Sequence, residues 1–165
     1  MPLEKLKNHD SLRRLRDDAV SQNRRLVFTN GCFDLLHVGH VRYLQAARAL
    51  GDLLVVAVNS DASVRSLKGD GRPINNEQDR AEVLAALESV DFVTIFDEQR
   101  VTRLIEVVRP HIYAKGGDYT RETLDQTEVA ALESVGADIR IIPLVPGKST
   151  SRTIQRLQST ENAER

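Results

Sequence analysis

The chain has 165 residues, 41% hydrophobic and 28% charged, with a formal net charge of -1, which suits a single globular domain and supplies no global field for nucleic acid or acidic membrane. One cysteine excludes an intrachain disulfide and fits a reducing compartment, and the scarcity of aromatics with no tryptophan argues against RNA binding by base stacking. No apolar stretch approaches a membrane span and the opening Met1-Pro2-Leu3-Glu4-Lys5 lacks the apolar core of a signal peptide, so the expectation is a cytoplasmic protein with neither nucleic-acid nor membrane partners.

Residues 12–20 read as a helix charged on most faces, within an N-terminal helical segment (1–23) ahead of the main domain (24–158). Leu26-Val27-Phe28 marks a first strand over 25–29, which breaks at the Asn30-Gly31 turn signal. Helical spacing follows over 39–50, with Val41, Leu44, Ala47 and Leu50 on one side and Gly51 placed to end it. The unbroken apolar run 53–58 reads as a strand buried on both faces. Asn59-Ser60-Asp61 then caps a short helix through about Ser66.

Residues 68–76 form a loop containing Gly and Pro, and Asn75 with Gln78 makes a capping-box-like start for a helix through Glu88. A third strand spans 91–96. Val101, Leu104, Ile105 and Val108 mark an amphipathic helix that Pro110 stops. A fourth strand (111–114) leads into the Gly116-Gly117 turn, then a helix near 121–136, a fifth strand over 138–142, a loop over 143–148 and a last helix from Thr150 to about Gln158. The polar tail 159–165 is expected to fray.

Five strands alternating with helices predict an α/β fold, a doubly wound parallel sheet covered on both faces. In such sheets ligands bind beyond the carboxyl ends of the strands. Segments 29–40, 59–61, 115–119 and 148–151 all follow strands, which predicts one shared site, with the Lys68–Arg80 region beyond the second of them.

The stretch 29–40 carries most of the chemistry. His37 and His40, separated by Val38-Gly39, sit where a strand hands over to a helix. Helix N-termini present unpaired N–H groups and partial positive charge, and imidazoles there donate to phosphate oxygens. Gly39 removes a side chain that would keep a ligand away. The expected role of the two rings is to hold phosphates and stabilise charge on the phosphorus under attack. Thr29, Asn30, Gly31 and Cys32 form the preceding turn, whose N–H groups suit a phosphate cradle. Cys32 beside histidines invites a thiol mechanism, but transfer to an existing phosphate needs no covalent step, so a small residue in a tight turn is the preferred reading. Asp34 stands between orienting its neighbours, positioning a metal and capping a turn. No histidine or cysteine spacing typical of a metal site accompanies these residues.

His37-Val38-Gly39-His40 resembles the His-x-Gly-His signature of the nucleotidyltransferase superfamily, related to class I aminoacyl-tRNA synthetases. The longer Thr29-Asn30-Gly31-Cys32-Phe33-Asp34-Leu35-Leu36-His37 context is similar to the adenylyltransferase domain of bacterial ADP-heptose synthases, over roughly residues 24–157. That resemblance implies a single Rossmann-like domain that transfers AMP from ATP to a heptose 1-phosphate. The products would be pyrophosphate and ADP-heptose, a precursor of lipopolysaccharide core or related glycans. It implies Mg²⁺ bridging the ATP phosphates and makes His37, His40, Lys68 and Arg80 the catalytic group.

Lys68-Gly69-Asp70-Gly71-Arg72-Pro73 matches a family loop that closes on phosphates, and Arg80 matches a family arginine that contacts phosphate. Lys115-Gly116-Gly117-Asp118-Tyr119 matches a segment near base and ribose. Ser149-Thr150-Ser151 stands where the family has Ser-Thr-Thr and offers hydroxyls and helix N–H groups to phosphates. The nucleotide set is therefore Thr29, Asn30, Gly31, Cys32, Phe33, Gly39, Lys115, Gly116, Gly117, Asp118, Ser149, Thr150 and Ser151, and the acceptor set is Asp34, Asn59, Asp61 and Arg72. Asp61 is divided between capping and substrate contact.

Many family members are fused to a sugar kinase, and there is no room for one here, so a separate heptose kinase is expected upstream. Family members also often form homodimers. The nearest alternative is a glycerol-3-phosphate cytidylyltransferase, which carries Arg where this chain has Glu88. A non-catalytic nucleotide sensor is a further alternative. An NAD-dependent oxidoreductase is disfavoured, since Gly31 and Gly39 do not make Gly-x-Gly-x-x-Gly.

Overall fold

The computed structural model describes residues 2–117 and 119–163. Five parallel strands, β1 (Leu26–Gly31), β2 (Leu53–Asn59), β3 (Phe92–Phe96), β4 (Ile112–Gly116) and β5 (Asp138–Ile142), form one sheet in the order β3-β2-β1-β4-β5. The helices are α1 (His9–Ser21), α2 (Val38–Arg48), α3 (Asp61–Lys68), α4 (Glu77–Ala85), α5 (Thr102–Val108), α6 (Gln126–Ser134) and α7 (Thr150–Ala163). This is the expected doubly wound, Rossmann-like α/β architecture.

Alternation along the strands divides the core in two. Leu26, Phe28, Val55 and Tyr113 face α1, α5 and α6 through Leu12, Ile105 and Leu132. Val27, Leu54, Val56 and Ile112 face α2 and α4 through Leu44, Ala47, Ala81 and Leu84. β2 is buried along its whole length, which is why its sequence shows no polar alternation. The charged α1 joins this core by burying Leu12 and Ala19, and fully burying a leucine contributes roughly 1.5–3 kcal/mol.

The strand order reverses between β1 and β4. β1 pairs with β2 from Leu26 to Gly31, but with β4 only at Val27–Ile112 and Phe28–Tyr113. Beyond that point the Tyr43 hydroxyl lies 2.6 Å from Thr29 Oγ1 and donates to the Ala114 carbonyl at 3.0 Å. Burial pushes the Tyr43 phenol up to about 12, against the opposing hydrogen bond to Thr29. Gly116 leaves room for this ring, since a Cβ there would come within 3.0 Å of it.

Several boundaries differ from the sequence reading. α4 is capped by Asn76, whose Oδ1 accepts from Asp79 N–H at 2.9 Å; Asn75 instead donates its N–H to Asp34 at 3.0 Å. α4 also stops at Ala85 rather than Glu88. Ser60, not Asp61, caps α3. Gly51 does not cap α2, which ends at Arg48 with Ala49 as its cap; a Cβ on Gly51 would come within 2.8 Å of the Arg25 carbonyl, so the glycine allows close approach to the entry of β1. α6 begins at Gln126, after an Asp125 cap, because the Thr120 N–H is taken by Thr123 Oγ1 in a local turn. α7 runs on to Ala163 through the segment expected to fray; that segment is polar but holds no glycine or proline to stop a helix.

Tyr43→Phe should lower unfolding free energy by roughly 1–3 kcal/mol, because Thr29 and Ala114 lose a buried partner. Urea denaturation should show this, with less than the summed loss in a Tyr43→Phe/Thr29→Val double variant; strict additivity would refute the coupling.

Candidate active site

A cavity of about 390 Å³ opens at the parting of β1 and β4. Its walls come from the end of β1 and the following turn (Asn30, Gly31, Cys32, Phe33, Asp34), the start of α2 (His37, Gly39, His40, Tyr43), the end of β4 (Lys115, Gly116) and the start of α7 (Ser149, Thr150, Ser151). Lys68, the last residue of α3 rather than the first of the loop, and Arg72, in the α3–α4 connection, approach from one side. Two helix N-termini therefore meet at one cavity, each bringing the positive end of its dipole.

The turn into α2 is strained. Phe33 adopts φ 47°, a left-handed conformation that costs a non-glycine residue about 1–3 kcal/mol. Its ring is buried, lies over Gly31 and sits 5.6 Å from the His40 ring. A Cβ on Gly31 would come within 2.9 Å of that ring, so the glycine is dictated by Phe33.

His37 is the N-cap of α2. Its Nδ1 accepts from the Gly39 N–H at 3.1 Å, and His40 Nδ1 accepts from the His37 N–H at 3.3 Å. The ring centroids are 4.0 Å apart. An imidazole nitrogen that accepts carries no proton, so each neutral ring holds its hydrogen on Nε2, and that edge remains for the cavity. Gly39 acquires a different reason from the expected one: a Cβ there would come within 2.8 Å of the His37 ring, so the glycine admits the capping imidazole as well as any ligand.

Electrostatics keep both rings neutral. Burial lowers the His37 pKa, assisted by Lys148. Burial, then His37 and Lys68, bring His40 down to about 4. Lys68, Arg72, Lys115 and Lys148 line the cavity, and among its described residues Asp34 is the one carboxylate. A positive field thus forms locally on a chain of net charge -1.

Asp34 is a tie rather than a free ligand. Its side chain is 1% exposed and accepts from Arg72 Nε at 2.8 Å, Ile74 N–H at 2.9 Å and Asn75 N–H at 3.0 Å. Burial alone would raise its pKa, but the Asn75 and Ile74 N–H groups and the Arg72 guanidinium together hold it below the usual carboxylate range. One Arg72 terminal nitrogen, Nη2, is buried at the cavity without a partner, an unspent donor of the type that recognises oxyanions.

Five expected site residues stand behind the wall. Arg80 has a side chain 0% exposed, and its guanidinium donates to the Cys32 carbonyl at 2.6 Å, the Asn75 carbonyl at 3.0 Å and Asp61 at 2.8 Å. These bonds make it a strut between two loops rather than a phosphate ligand. Asp61 is that strut's partner, not a helix cap. Asn59 is buried and donates to Ser63 Oγ at 3.0 Å. Thr29 is buried against Tyr43, and Gly117 turns at φ 126° beside the Tyr119 ring. Asp118 lies outside the described residues. Thr150 donates its hydroxyl to the Leu35 carbonyl at 2.7 Å, docking α7 onto the turn before α2.

Sequence reasoning passed over Tyr43, Leu144 and Val145, all on the wall, and placed Lys148 in the candidate segment 148–151 without giving it a role. Tyr43 follows His40 by three residues on a helix, which places it on the same face. Leu144 and Val145 fall in an irregular loop and carried no periodic signal.

The folded His40 ring protonates near 4 while the unfolded ring does so near 6.5. Between these values the unfolded chain binds more protons, so the contribution of this group to stability is complete above 6.5 and is lost as pH falls toward 4. NMR of the imidazole nitrogens should find His40 neutral, with its proton on Nε2, from about pH 8 to about pH 5. Titration near 6.5 would contradict the capping geometry.

Comparison with known proteins identifies the family. A family model described as cytidylyltransferase-like matches residues 28–161. The chain is 54% identical over 155 residues to the bifunctional protein HldE of Geotalea uraniireducens, covering 94% of this chain and 31% of that protein. It is 44% identical over 156 residues to the HldE of Aliarcobacter butzleri, covering 94% and 32%. The chain thus spans about a third of the length of these curated relatives. Among solved structures, the lipopolysaccharide core biosynthesis protein of Thermoplasma volcanium superposes with a TM-score of 0.61 at 29% identity, covering 74% of this chain and 97% of that one. The pantoate-beta-alanine ligase of Francisella tularensis, with a TM-score of 0.57 at 14% identity over 88% of this chain and 68% of its own, shares the fold alone. By the extent of the family match and the paired histidines at its first strand-to-helix turn, the chain belongs to the cytidylyltransferase-like family.

Proposed function

We propose that this chain is an adenylyltransferase that joins ATP to a heptose 1-phosphate, yielding ADP-heptose and pyrophosphate. The observation that carries this reading is the pair of neutral imidazoles, each keeping its Nε2–H for a cavity bounded by two helix N-termini and four cations. Such a site is made for a polyphosphate. The choice of a sugar phosphate draws support from the identity with HldE proteins and from the solved relative named for lipopolysaccharide core biosynthesis. The sugar 1-phosphate is then supplied by a kinase activity outside these residues, in keeping with relatives named bifunctional.

In the proposed reaction a phosphate oxygen of the sugar 1-phosphate attacks the α-phosphorus of ATP. The new P–O bond forms as the bond to the β-phosphate oxygen breaks, and pyrophosphate carries away the electron pair. The attacking oxygen is already anionic, so no general base is required; positioning and charge neutralisation dominate. His37 and His40 donate from Nε2 to phosphate oxygens as charge builds, and bound anion raises their affinity for protons. Lys68, Arg72 and Lys148 offset the negative charge of the triphosphate. Cys32 remains a turn residue, its Sγ 3.9 Å from Asn59 Oδ1.

Mg²⁺ would enter on the nucleotide. The Asp34 oxygens are occupied by Arg72, Ile74 and Asn75, and among the described residues no group of three or more His, Cys, Asp or Glu is arranged to hold a metal ion. The donor set therefore suits an ion carried by phosphates, where it supplies further charge neutralisation.

His37→Ala and His40→Ala should each lower kcat about a hundredfold or more while the fold is kept, as for lost transition-state donors. Near-normal turnover in both would remove the assigned role. A pyrophosphate-release assay crossing ATP and CTP with heptose 1-phosphate and glycerol 3-phosphate should give its largest kcat/KM for ATP with the heptose. Preference for CTP with glycerol 3-phosphate would reverse the substrate assignment.

A further inference from the structure

A second cavity, of about 250 Å³, adjoins the first and shares two of its walls, Lys115 and Tyr119. The Lys115 ammonium lies 5.3 Å from the centroid of the Tyr119 ring, so the two shared walls form a cation–π pair. The far side of this cavity is built by Arg100, Thr123, Asp125 and Glu128.

Glu128 is the unusual member. It is a carboxylate 6% exposed, held in the first turn of α6 beside the core. Glutamate is almost never buried to this degree without partners that use its oxygens. Its Oε1 accepts from the Val101 N–H at 3.2 Å, which serves the otherwise uncapped start of α5. Among the described residues no donor is placed on Oε2. A carboxylate offers about four acceptor positions, so most of this group's capacity is unspent and the cavity is where it can be spent. Asp125 is different: its Oδ1 caps α6 at Thr127 and Glu128, and its Oδ2 pairs with Arg100 at 3.4 Å.

Of the four residues expected to take the acceptor, Asn59 is buried, Asp61 is spent on Arg80 and Asp34 on Arg72, Ile74 and Asn75, which leaves the Arg72 guanidinium to meet its phosphate but none of the four to meet its sugar. An acceptor must nonetheless reach a phosphate held in the first cavity, and a neighbouring space that shares Lys115 and Tyr119 with it satisfies that demand. A buried carboxylate with unspent acceptor positions, beside the exposed Arg100 guanidinium, matches a polyhydroxylated ligand, whose hydroxyls both donate and accept. We propose that the polyol part of the acceptor docks in this second cavity, with Glu128 accepting hydrogen bonds from its hydroxyls. This rests on the adenylyl-transfer reading above and names where its sugar is recognised.

The test is the substrate dependence of Glu128→Gln and Glu128→Ala in the full chain, with pyrophosphate release measured against heptose 1-phosphate at saturating ATP and against ATP at saturating sugar. Gln retains the oxygen that accepts from Val101 N–H, so it separates ligand contact from helix capping; thermal unfolding verifies that its fold is intact. The expected result is a KM for the sugar phosphate raised roughly tenfold in both variants, with the KM for ATP changed less than twofold. An unchanged sugar KM in Glu128→Gln overturns the assignment while leaving adenylyl transfer standing. A rise in the ATP KM instead overturns it by making this the nucleobase cavity. Failure of the wild-type chain to release pyrophosphate with any pair of substrates overturns the underlying reading, and this proposal with it.

Discussion

The Tyr43 phenol stands where β1 and β4 separate, and the site is arranged around it. Reversal of strand order forces the two strands apart at their carboxyl ends, leaving polar backbone without a ladder partner. Tyr43 supplies a partner to Ala114 and Thr29 at once, from a helix that begins at the two histidines. The Tyr113 hydroxyl makes a second bridge, donating to Asn30 Oδ1 at 2.7 Å. The base of the cavity is thereby rigid, and the turns that line it depart from fixed points.

Above that base, each histidine caps the helix with one nitrogen and keeps the other for the cavity. This arrangement settles the protonation state through geometry, because an Nδ1 that accepts a backbone N–H cannot also carry a proton. The rings therefore present hydrogen-bond donors to the cavity, and the positive field comes from Lys68, Arg72, Lys115 and Lys148. Neutral donors surrounded by cations hold a polyanion without bringing two like charges to 4.0 Å from each other.

A second set of interactions makes the surrounding loops act together. Asp34 ties the turn after β1 to residues 72–75, and Arg80 ties the same turn to Asn75 and Asp61. The loop that presents Arg72 is thus fastened to the turn that presents the histidines. Arg80 and Asp34 serve the chemistry by holding other groups in place.

The five strands, the parallel sheet and the location of the site at strand ends were legible in the sequence because hydrophobic period and turn residues are local signals. The His37-Val38-Gly39-His40 turn was legible for the same reason: cap, glycine and second ring all lie within one helical turn. The spread of α7 to Ala163 was not, because polarity says nothing about where a helix ends. Nor were the fates of Arg80, Asp61 and Asn59. Each carries a side chain suited to a ligand, and only packing shows that protein groups have already claimed it. The sequence by itself determined which residues follow which strands and hence which chemistry gathers at one edge. Tertiary structure alone decided which of those polar groups remain free, because hydrogen bonds between residues tens of positions apart, such as Arg80 to Cys32 and Thr150 to Leu35, depend on distances that no local pattern encodes.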